Sequence, residues 1–219
     1  ALMYVYMGHM KFEHTQPYEP HFWTKNRIDL LQDFVKHVDT ASKEVILQNG
    51  RKLAYSELII ASGSKPNKFG WPGQDADGVS GLYSKQDLEY IEERSPEMKT
   101  AVIVGGGLIG IELAEMLLSR NIEVHFLIRE EYFFNGLFPI HTSEMLMKHF
   151  EKHHGLHMHY STELDEIRTN NENKVIGIKT TTGEQVECQF VGLTVGVTPN
   201  IEFIKSSGIE INRGILVNE

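Results

Sequence analysis

Three glycines with a fixed spacing are the residues of this sequence that indicate chemistry most directly. Gly105, Gly107 and Gly110 form a G-x-G-x-x-G pattern between the apolar run at 100–104 and a helical pattern. In that context the first glycine permits a tight turn, the second leaves room for a pyrophosphate, and the third lets the helix approach the sheet. The helix N-terminus adds free N–H groups and a partial positive charge. The pattern therefore predicts a dinucleotide-binding site, with a purely structural turn as the alternative. The predicted cofactor-binding residues here are Gly105, Gly106, Gly107, Leu108, Ile109 and Gly110.

The end of the next predicted strand should select the cofactor. About 20 residues past the glycines the chain reads Ile128-Arg129-Glu130. An acid at this point accepts hydrogen bonds from the ribose 2′-hydroxyl of NAD, whereas an arginine accommodates the 2′-phosphate of NADP. Ile128 occupies the position where the acid is usual, and Arg129 follows it. This arrangement weakly favours NADP. Glu130 could still reach the ribose and favour NAD, and a solvated strand end without a role is the third alternative.

The chain around this site alternates strand and helix patterns from residue 100 onward. Such alternation favours an α/β fold with a parallel sheet, since parallel strands need crossover helices. The predicted order is strand 100–104, helix 108–120, strand 123–128, helix 142–152, strand 156–160, a meander at 167, 174–180 and 186–190, and a last strand at 191–195.

The first 94 residues favour antiparallel strands and loops. Strands are predicted at 28–38 and 44–47, and Asn49-Gly50 predicts a hairpin with a type I′ turn. The apolar run at 58–61 predicts a buried strand. Proline and glycine make 64–80 a loop and a plausible boundary, and a helix at 84–94 is predicted with a serine cap.

Composition excludes several classes of function. A net charge of -9 argues against a nucleic-acid partner, because phosphate surfaces select basic patches. No apolar run approaches the roughly 20 residues of a membrane span, and the start does not resemble a signal peptide, so we expect no membrane span and a cytoplasmic location. The single cysteine, Cys188, excludes a disulfide framework within the chain and is predicted to be a plain buried thiol. Since the chain does not start with Met and stops within a strand pattern, we expect an internal fragment.

A histidine-rich stretch at 153–159 raises the question of a metal site. His157 and His159 would share one face of a strand. No cysteine or acid stands at a recognised zinc spacing from them, so no metal ligands are predicted and surface or structural histidines are expected.

Three segments together resemble a known family. Residues 61–66, Ala-Ser-Gly-Ser-Lys-Pro, resemble the A-T-G-x-x-P segment of two-dinucleotide flavoproteins, with Ser62 where threonine is usual. Residues 105–112 resemble their second G-x-G-x-x-G ending in Glu, and 195–200 resemble their closing x-G-x-x-P-N. In order and spacing the chain is similar to the middle of an FAD-dependent pyridine nucleotide-disulfide oxidoreductase of the glutathione-reductase-like superfamily. Single-flavin reductases of the nitrite reductase, rubredoxin reductase and coenzyme A-disulfide reductase type are the most similar.

The resemblance implies roles for residues outside the glycine loop. Glu112 would lie near the nicotinamide as the candidate catalytic residue, although a first-turn acid paired with the helix dipole is the alternative. Gly196 would allow close approach of the nicotinamide half, and Ala61, Ser62 and Gly63 would line the FAD side.

The resemblance also implies an architecture and an activity. The expected fold is a three-layer Rossmann-like α/β domain with a parallel sheet and a β-meander, plus part of an FAD-binding domain. Residues 1–80 would belong to the FAD domain, 81–200 to the NAD(P) domain, and 201–219 to a segment returning toward the FAD domain.

The implied protein is an FAD-dependent NAD(P)H oxidoreductase that passes hydride from nicotinamide to flavin and on to an unidentified acceptor. That acceptor is a small molecule such as a disulfide, a nitrite reductase centre, or a redox protein. A homodimer would form through regions outside this chain, and the chain alone would bind NAD(P) without retaining FAD tightly. A nucleotide-sensing regulatory Rossmann module without redox turnover is the alternative.

Overall fold

The computed structural model, which describes residues 1–218, divides into two compact units. The first unit comprises residues 1–15 and 66–196, and the second comprises 16–65 and the chain from 197 onward. These contact units have different bounds from the predicted cofactor domains at 1–80, 81–200 and 201–219, whose assignment stays a prediction. Among the described residues, no helix combines the length and the apolar character needed to cross a bilayer.

The secondary structure is numbered along the chain. The strands are β1 (Val35–Asp39), β2 (Glu44–Leu47), β3 (Lys52–Ala54), β4 (Ser64–Pro66), β5 (Val79–Ser80), β6 (Thr100–Val104), β7 (Glu123–Leu127), β8 (Leu156–His159), β9 (Leu164–Thr169), β10 (Val175–Thr180), β11 (Gln185–Glu187), β12 (Phe190–Leu193) and β13 (Val197–Pro199). The α-helices are α1 (Leu2–Tyr6), α2 (His21–Lys25), α3 (Lys85–Arg94), α4 (Leu108–Leu118) and α5 (Ile140–Phe150), with short 3-10 turns at Phe12–Thr15, Ser95–Glu97 and Glu202–Ile204.

A parallel sheet forms the centre of the first unit. Its five strands lie in the order β5-β12-β6-β7-β8, and every pair is parallel. Residues 101–104 of β6 are all apolar and buried, because both faces of a parallel sheet are covered. Ile103 belongs to the core on the helix side with Leu113 of α4, whereas Val102 belongs to the core on the opposite face.

The opposite face is covered by a second, antiparallel sheet. Strands β9, β10 and β11 form a meander in which Leu164 and Ile178 share a core with Val102 and Val104. Helices, parallel sheet and meander thus form three layers, which confirms the predicted α/β class with a parallel sheet and a β-meander.

The start of α3 follows its sequence signal closely. The Ser84 hydroxyl accepts a hydrogen bond from the Asp87 amide, and the Asp87 carboxylate accepts one from the Ser84 amide. This reciprocal capping box confirms the predicted helix start.

The second unit contains a small antiparallel meander, β1-β2-β3, over a core that includes Val38 and Ile204. The hairpin predicted at Asn49-Gly50 is confirmed, but the predicted turn type is wrong, because only Gly50 has a positive φ (86°). A type I′ turn needs a positive φ at both central residues. The Asn49 side chain instead accepts a 2.8 Å hydrogen bond from the Arg51 backbone amide, a local turn contact that does not need a positive φ at Asn49.

Two strand predictions in this unit are wrong. Residues 58–61 form no strand, and Ile59 is 91% exposed. An apolar run becomes a buried strand only where other strands flank it, and none of the described strands pairs with this run. The predicted strand at 28–38 is reduced to β1, which begins at Val35; Phe34 is exposed.

Candidate functional site

The turn between β6 and α4 requires glycine at its first position. Gly105 has a φ of 110°, and a Cβ at this residue would lie 2.6 Å from the carbonyl oxygen of Thr194. Its amide donates a 3.0 Å hydrogen bond to the Leu127 carbonyl. The backbone therefore turns sharply next to two neighbouring strand ends, where a side chain would not fit.

The third glycine sets the distance between helix and sheet. A Cβ on Gly110 would lie 2.5 Å from the Gly105 carbonyl oxygen and 2.7 Å from Cζ of Phe126 on β7. Real Cβ atoms do not come this close to backbone or ring atoms. Gly110 therefore lets α4 lie directly against the sheet.

The second glycine faces open space. Gly107 is the N-cap of α4, and no side chain caps the helix there. A Cβ on Gly107 would meet nothing within 4 Å, and its φ of -94° is one that any residue adopts. The described protein atoms thus give no steric reason for glycine at this position. The remaining reason is a group outside the chain that needs the space and the helix N–H groups, and a pyrophosphate has that chemistry.

Thr194, which the sequence did not single out, holds the glycine turn in place. Its buried hydroxyl shares its proton between the carbonyl oxygens of Val104 (2.9 Å) and Gly105 (3.0 Å). These contacts span about 90 residues of chain. Only the pairing of β12 with β6 brings Thr194 here, so a local sequence pattern could not reveal it.

The residues predicted to select the cofactor lie in different environments at the end of β7. Ile128 is buried, and a Cβ on Gly106 would lie 3.0 Å from Cγ2 of Ile128, so the usual acid position is part of the packing under the loop. Arg129 is exposed and forms a 2.8 Å ion pair with Glu130, which raises the pKa of the Arg129 guanidinium above its usual value. The guanidinium and the carboxylate lie side by side, so the choice between NAD and NADP stays open here.

Glu112 is exposed on α4. The helix begins at Leu108 and has no acid in its first turn, so the alternative of a first-turn acid paired with the helix dipole is wrong. The catalytic role of Glu112 stays a prediction.

Gly196, with a φ of 85°, follows β12, and its carbonyl accepts a 3.0 Å hydrogen bond from the Asn67 amide.

In the second unit, two of the segments that carry the resemblance contact each other. The Ser62 hydroxyl donates to the Asn200 carbonyl (2.7 Å), and the Asn200 side-chain amide donates to the Ser62 carbonyl (2.9 Å). The Asn200 backbone amide also donates to the Gly63 carbonyl (2.9 Å). Ala61 is exposed beside them. Serine in place of threonine keeps the hydroxyl that this clamp uses, and Asn200 is a positioning residue that the sequence did not identify as such.

Cys188 is a plain buried thiol, as predicted. It is fully buried, and burial raises the pKa of its thiol to about 12. At neutral pH the sulfur is protonated and shielded, which is the opposite of a redox-active cysteine.

A parallel strand, a glycine turn and an uncapped helix N-terminus define a dinucleotide-binding protein of the Rossmann class. Within that class, the pattern of the family "Pyridine nucleotide-disulphide oxidoreductase" matches residues 5–219. The chain therefore belongs to this family, which confirms the resemblance seen in the sequence. Members of the family bind FAD and a pyridine nucleotide.

Individual relatives agree with this assignment. The chain is 31% identical over 199 residues to a nitrite reductase [NAD(P)H] of Bacillus subtilis, covering 90% of this chain and 24% of that protein. It is 32% identical over 203 residues to an NADH-rubredoxin oxidoreductase of Clostridium acetobutylicum, covering 90% of this chain and 48% of that protein. The crystal structure of a ferredoxin reductase from Rhodopseudomonas palustris shares the fold, with a TM-score of 0.91 at 24% identity over 99% of this chain and 53% of that one. The chain thus spans about a quarter of the length of the first of these curated relatives and about half the length of the second.

Proposed function

We propose that this chain is the pyridine-nucleotide-binding part of an FAD-dependent NAD(P)H oxidoreductase. The observation that carries the proposal is the uncapped N-terminus of α4 beside the open space at Gly107. The names of both curated relatives support it, since one is an NAD(P)H-linked nitrite reductase and the other transfers electrons from NADH to rubredoxin.

The pyrophosphate of the nucleotide binds at the glycine loop. The first-turn amides of α4, from Leu108 to Gly110, point along the helix axis toward the anion and carry the positive end of the helix dipole. Gly107 leaves the approach open, and Thr194 fixes the carbonyls of the turn away from it. At the glycine loop the chain binds and orients the nucleotide, so the reacting groups do not have to be brought together from solution.

Other residues orient the two ends of the nucleotide. Arg129 and Glu130 follow β7 and contact the adenosine ribose, Gly196 allows approach of the nicotinamide half, and Glu112 accepts a hydrogen bond near the carboxamide. In the second unit, the clamp between Ser62 and Asn200 shapes the segment that lines the flavin side. A bound flavin would supply the acceptor for hydride from the reduced nicotinamide, and these residues would supply position and electrostatics.

The electron acceptor is a property of the whole protein that contains this chain. A small molecule or a redox protein, as in the rubredoxin-linked relative, is the proposed class. A homodimer through regions outside this chain and a cytoplasmic location remain part of the proposal. The regulatory alternative without redox turnover has no support from the two relatives described above, which are named as a reductase and an oxidoreductase.

Two measurements test the proposal. Fluorescence titration of the chain with NADH and NADPH should show saturable binding of at least one of them. ADP-ribose should compete with that nucleotide for the site, because it keeps the pyrophosphate. Stopped-flow absorbance of the whole protein that contains this chain should show flavin bleaching on mixing with the preferred nucleotide. Absence of nucleotide binding at millimolar concentrations would overturn the assignment of the site, and a whole protein without flavin would leave only the sensing alternative.

A further inference from the structure

Two neighbouring strands at one edge of the parallel sheet bring an acid and two histidines together. The side chains of Glu123, His125 and His157 each offer one ligand atom, and these atoms all lie within 4.8 Å of one another. We propose that they form a binding site for a divalent transition metal, for which Zn²⁺ has the matching ligand preference.

The register of the sheet creates this cluster. Strands β7 and β8 run parallel with His125 opposite His157, and residues two apart on one strand share a face. Glu123 therefore lies on the same face as both histidines, although it is separated from His157 by 34 residues of chain. The spacing of Glu123 and His125 was visible in the sequence, but the third ligand, His157, is brought to them only by the register of β7 and β8.

The present contacts are close to those of a coordinated metal. Nε2 of His157 lies 2.6 Å from a carboxylate oxygen of Glu123, and the rings of His125 and His157 lie 4.7 Å apart with 22° between their planes. Tetrahedral ligands at about 2.0–2.1 Å from zinc lie about 3.3 Å from each other. Since the ligand atoms lie within 4.8 Å of one another, changes in side-chain torsions that shift them by up to about 1.5 Å would bring them to this spacing.

A second set of contacts orients His125. Its Nδ1 lies 2.9 Å from Nε2 of His159, whose Nδ1 faces a carboxylate oxygen of Glu184 at 3.6 Å. With protons on the two Nδ1 atoms, each histidine donates toward the next group, and the other ring nitrogen of His125 is the ligand. Metal-binding histidines commonly donate their second N–H to a carboxylate or another acceptor in this way.

The donor types determine which metals the cluster would bind, and the exposure of the side chains determines whether an ion can reach it. Two imidazoles and one carboxylate suit Zn²⁺, Co²⁺ or Ni²⁺, whereas Mg²⁺ and Ca²⁺ prefer oxygen ligands alone. The side chains of Glu123 and His157 are 48% and 47% exposed, so an ion can reach them. Three protein ligands leave a fourth position for water. Bound metal would join the edge strand β8 to β7 through side chains as well as through backbone hydrogen bonds.

Another pair of histidines on this chain requires a control. Nε2 of His149 and Nε2 of His153 lie 3.3 Å apart on an exposed surface, and such a pair binds transition metals weakly by itself. The tests therefore use the full chain with both of these residues replaced, H149A/H153A, as the background. The protein must carry no polyhistidine tag.

Metal affinity in this background is measured by Zn²⁺ competition with a chromophoric chelator. We expect one Zn²⁺ per chain, Glu123→Gln weakening the affinity at least tenfold, and His157→Ala weakening it at least 100-fold. Both residues are half exposed, so the variants should keep the far-UV circular dichroism of the background. His159→Gln should weaken binding about tenfold while the tetrahedral Co²⁺ absorption spectrum is kept, as expected of a positioning residue.

The contrary results are equally distinct. Loss of all Zn²⁺ binding in the H149A/H153A background would assign the metal to the surface pair and overturn the proposal. Unchanged affinity in both Glu123→Gln and His157→Ala would also overturn it. If either variant fails to fold, Co²⁺ titration of the background decides instead, since an octahedral spectrum or none would exclude the proposed tetrahedral site of three protein ligands and one water.

Discussion

Replacement of Gly107 by aspartate should raise the stability of the chain and at the same time weaken nucleotide binding. Gly107 is the N-cap of α4, it has an ordinary φ, and a Cβ there meets no atom within 4 Å. Aspartate is among the preferred N-cap residues, because its carboxylate accepts hydrogen bonds from the first-turn amides. The same amides are those proposed to hold the pyrophosphate. The substitution should therefore improve the helix and destroy the site.

The magnitudes of the two effects differ widely. An aspartate cap in place of glycine stabilises a helix by a few tenths of a kcal/mol, and interaction with the dipole adds about 0.3–1 kcal/mol. For a chain of this size the sum, about 0.5–1.4 kcal/mol, corresponds to a Tm rise of about 1–6 °C. A carboxylate about 4 Å from a phosphate charge costs about 4 kcal/mol at an effective dielectric constant of about 20. Since about 1.4 kcal/mol is a factor of ten, the Kd should rise about 1,000-fold.

The assay combines thermal unfolding without nucleotide and fluorescence titration with NADH and NADPH. Gly107→Asn is the matched control, since it fills the same volume and caps the same amides without a charge. Its Kd should rise less than that of Gly107→Asp, and the difference between them measures the charge effect. If Gly107→Asp binds nucleotide within threefold of the unmodified chain, the anion does not lie at this helix end and the reasoning about the site is wrong.

Predictions at four further residues test other parts of the structure. Gly110→Ala should destabilise the first unit by about 1–3 kcal/mol in thermal unfolding, because its Cβ would overlap backbone and ring atoms. Thr194→Val should lower stability by about 1–3 kcal/mol and also weaken nucleotide binding, whereas Thr194→Ser should keep both, since the hydroxyl satisfies two carbonyls of the turn. Arg129→Gln should weaken NADPH binding about tenfold more than NADH binding if the guanidinium contacts the 2′-phosphate, as measured by paired titrations. Cys188 should resist a thiol reagent at pH 8 in the folded chain and react in denaturant. Because its folded pKa of about 12 is raised by burial, ionisation of the unfolded thiol should also lower stability as the pH rises above about 9.

Each of these has a clear contrary result. A Gly110→Ala chain as stable as the original would show that α4 can move from the sheet without cost. Equal stability and affinity of Thr194→Val and Thr194→Ser would remove the hydroxyl from the turn's support. A uniform loss of NADH and NADPH affinity in Arg129→Gln would make the arginine a general phosphate contact. Rapid labelling of Cys188 at pH 8 would indicate local opening of the segment between β11 and β12.

The features that could be predicted from the sequence are those with a local physical cause. The glycine pattern marks a strand–turn–helix unit by its spacing alone, and the structure reproduces the positive φ at Gly105 and the close approach at Gly110. The capping box of Ser84 and Asp87 is equally local. Strand β6 was predictable because its apolar run of four residues, 101–104, suits burial on both faces.

The features that escaped prediction depend on residues far away in the chain. The support from Thr194 requires the pairing of β12 with β6, and the cluster around His157 requires the register between β7 and β8. The apolar run at 58–61 fails in the opposite way, because its composition suits a buried strand but no described strand pairs with it. Hydrophobicity alone specifies that a segment prefers burial, and the neighbours decide whether burial occurs.

The strand order of the parallel sheet has a consequence for the protein as it is being made. Strand β12 lies between β5 and β6, yet it follows β6 by more than eighty residues of chain. During synthesis at about 5–20 residues per second, β6 therefore leaves the ribosome with one edge unpaired for several seconds. An exposed apolar edge of this kind is a template for aggregation. Nascent chains of this protein should therefore engage chaperones until residue 193 has emerged, and the sheet should close only after that point.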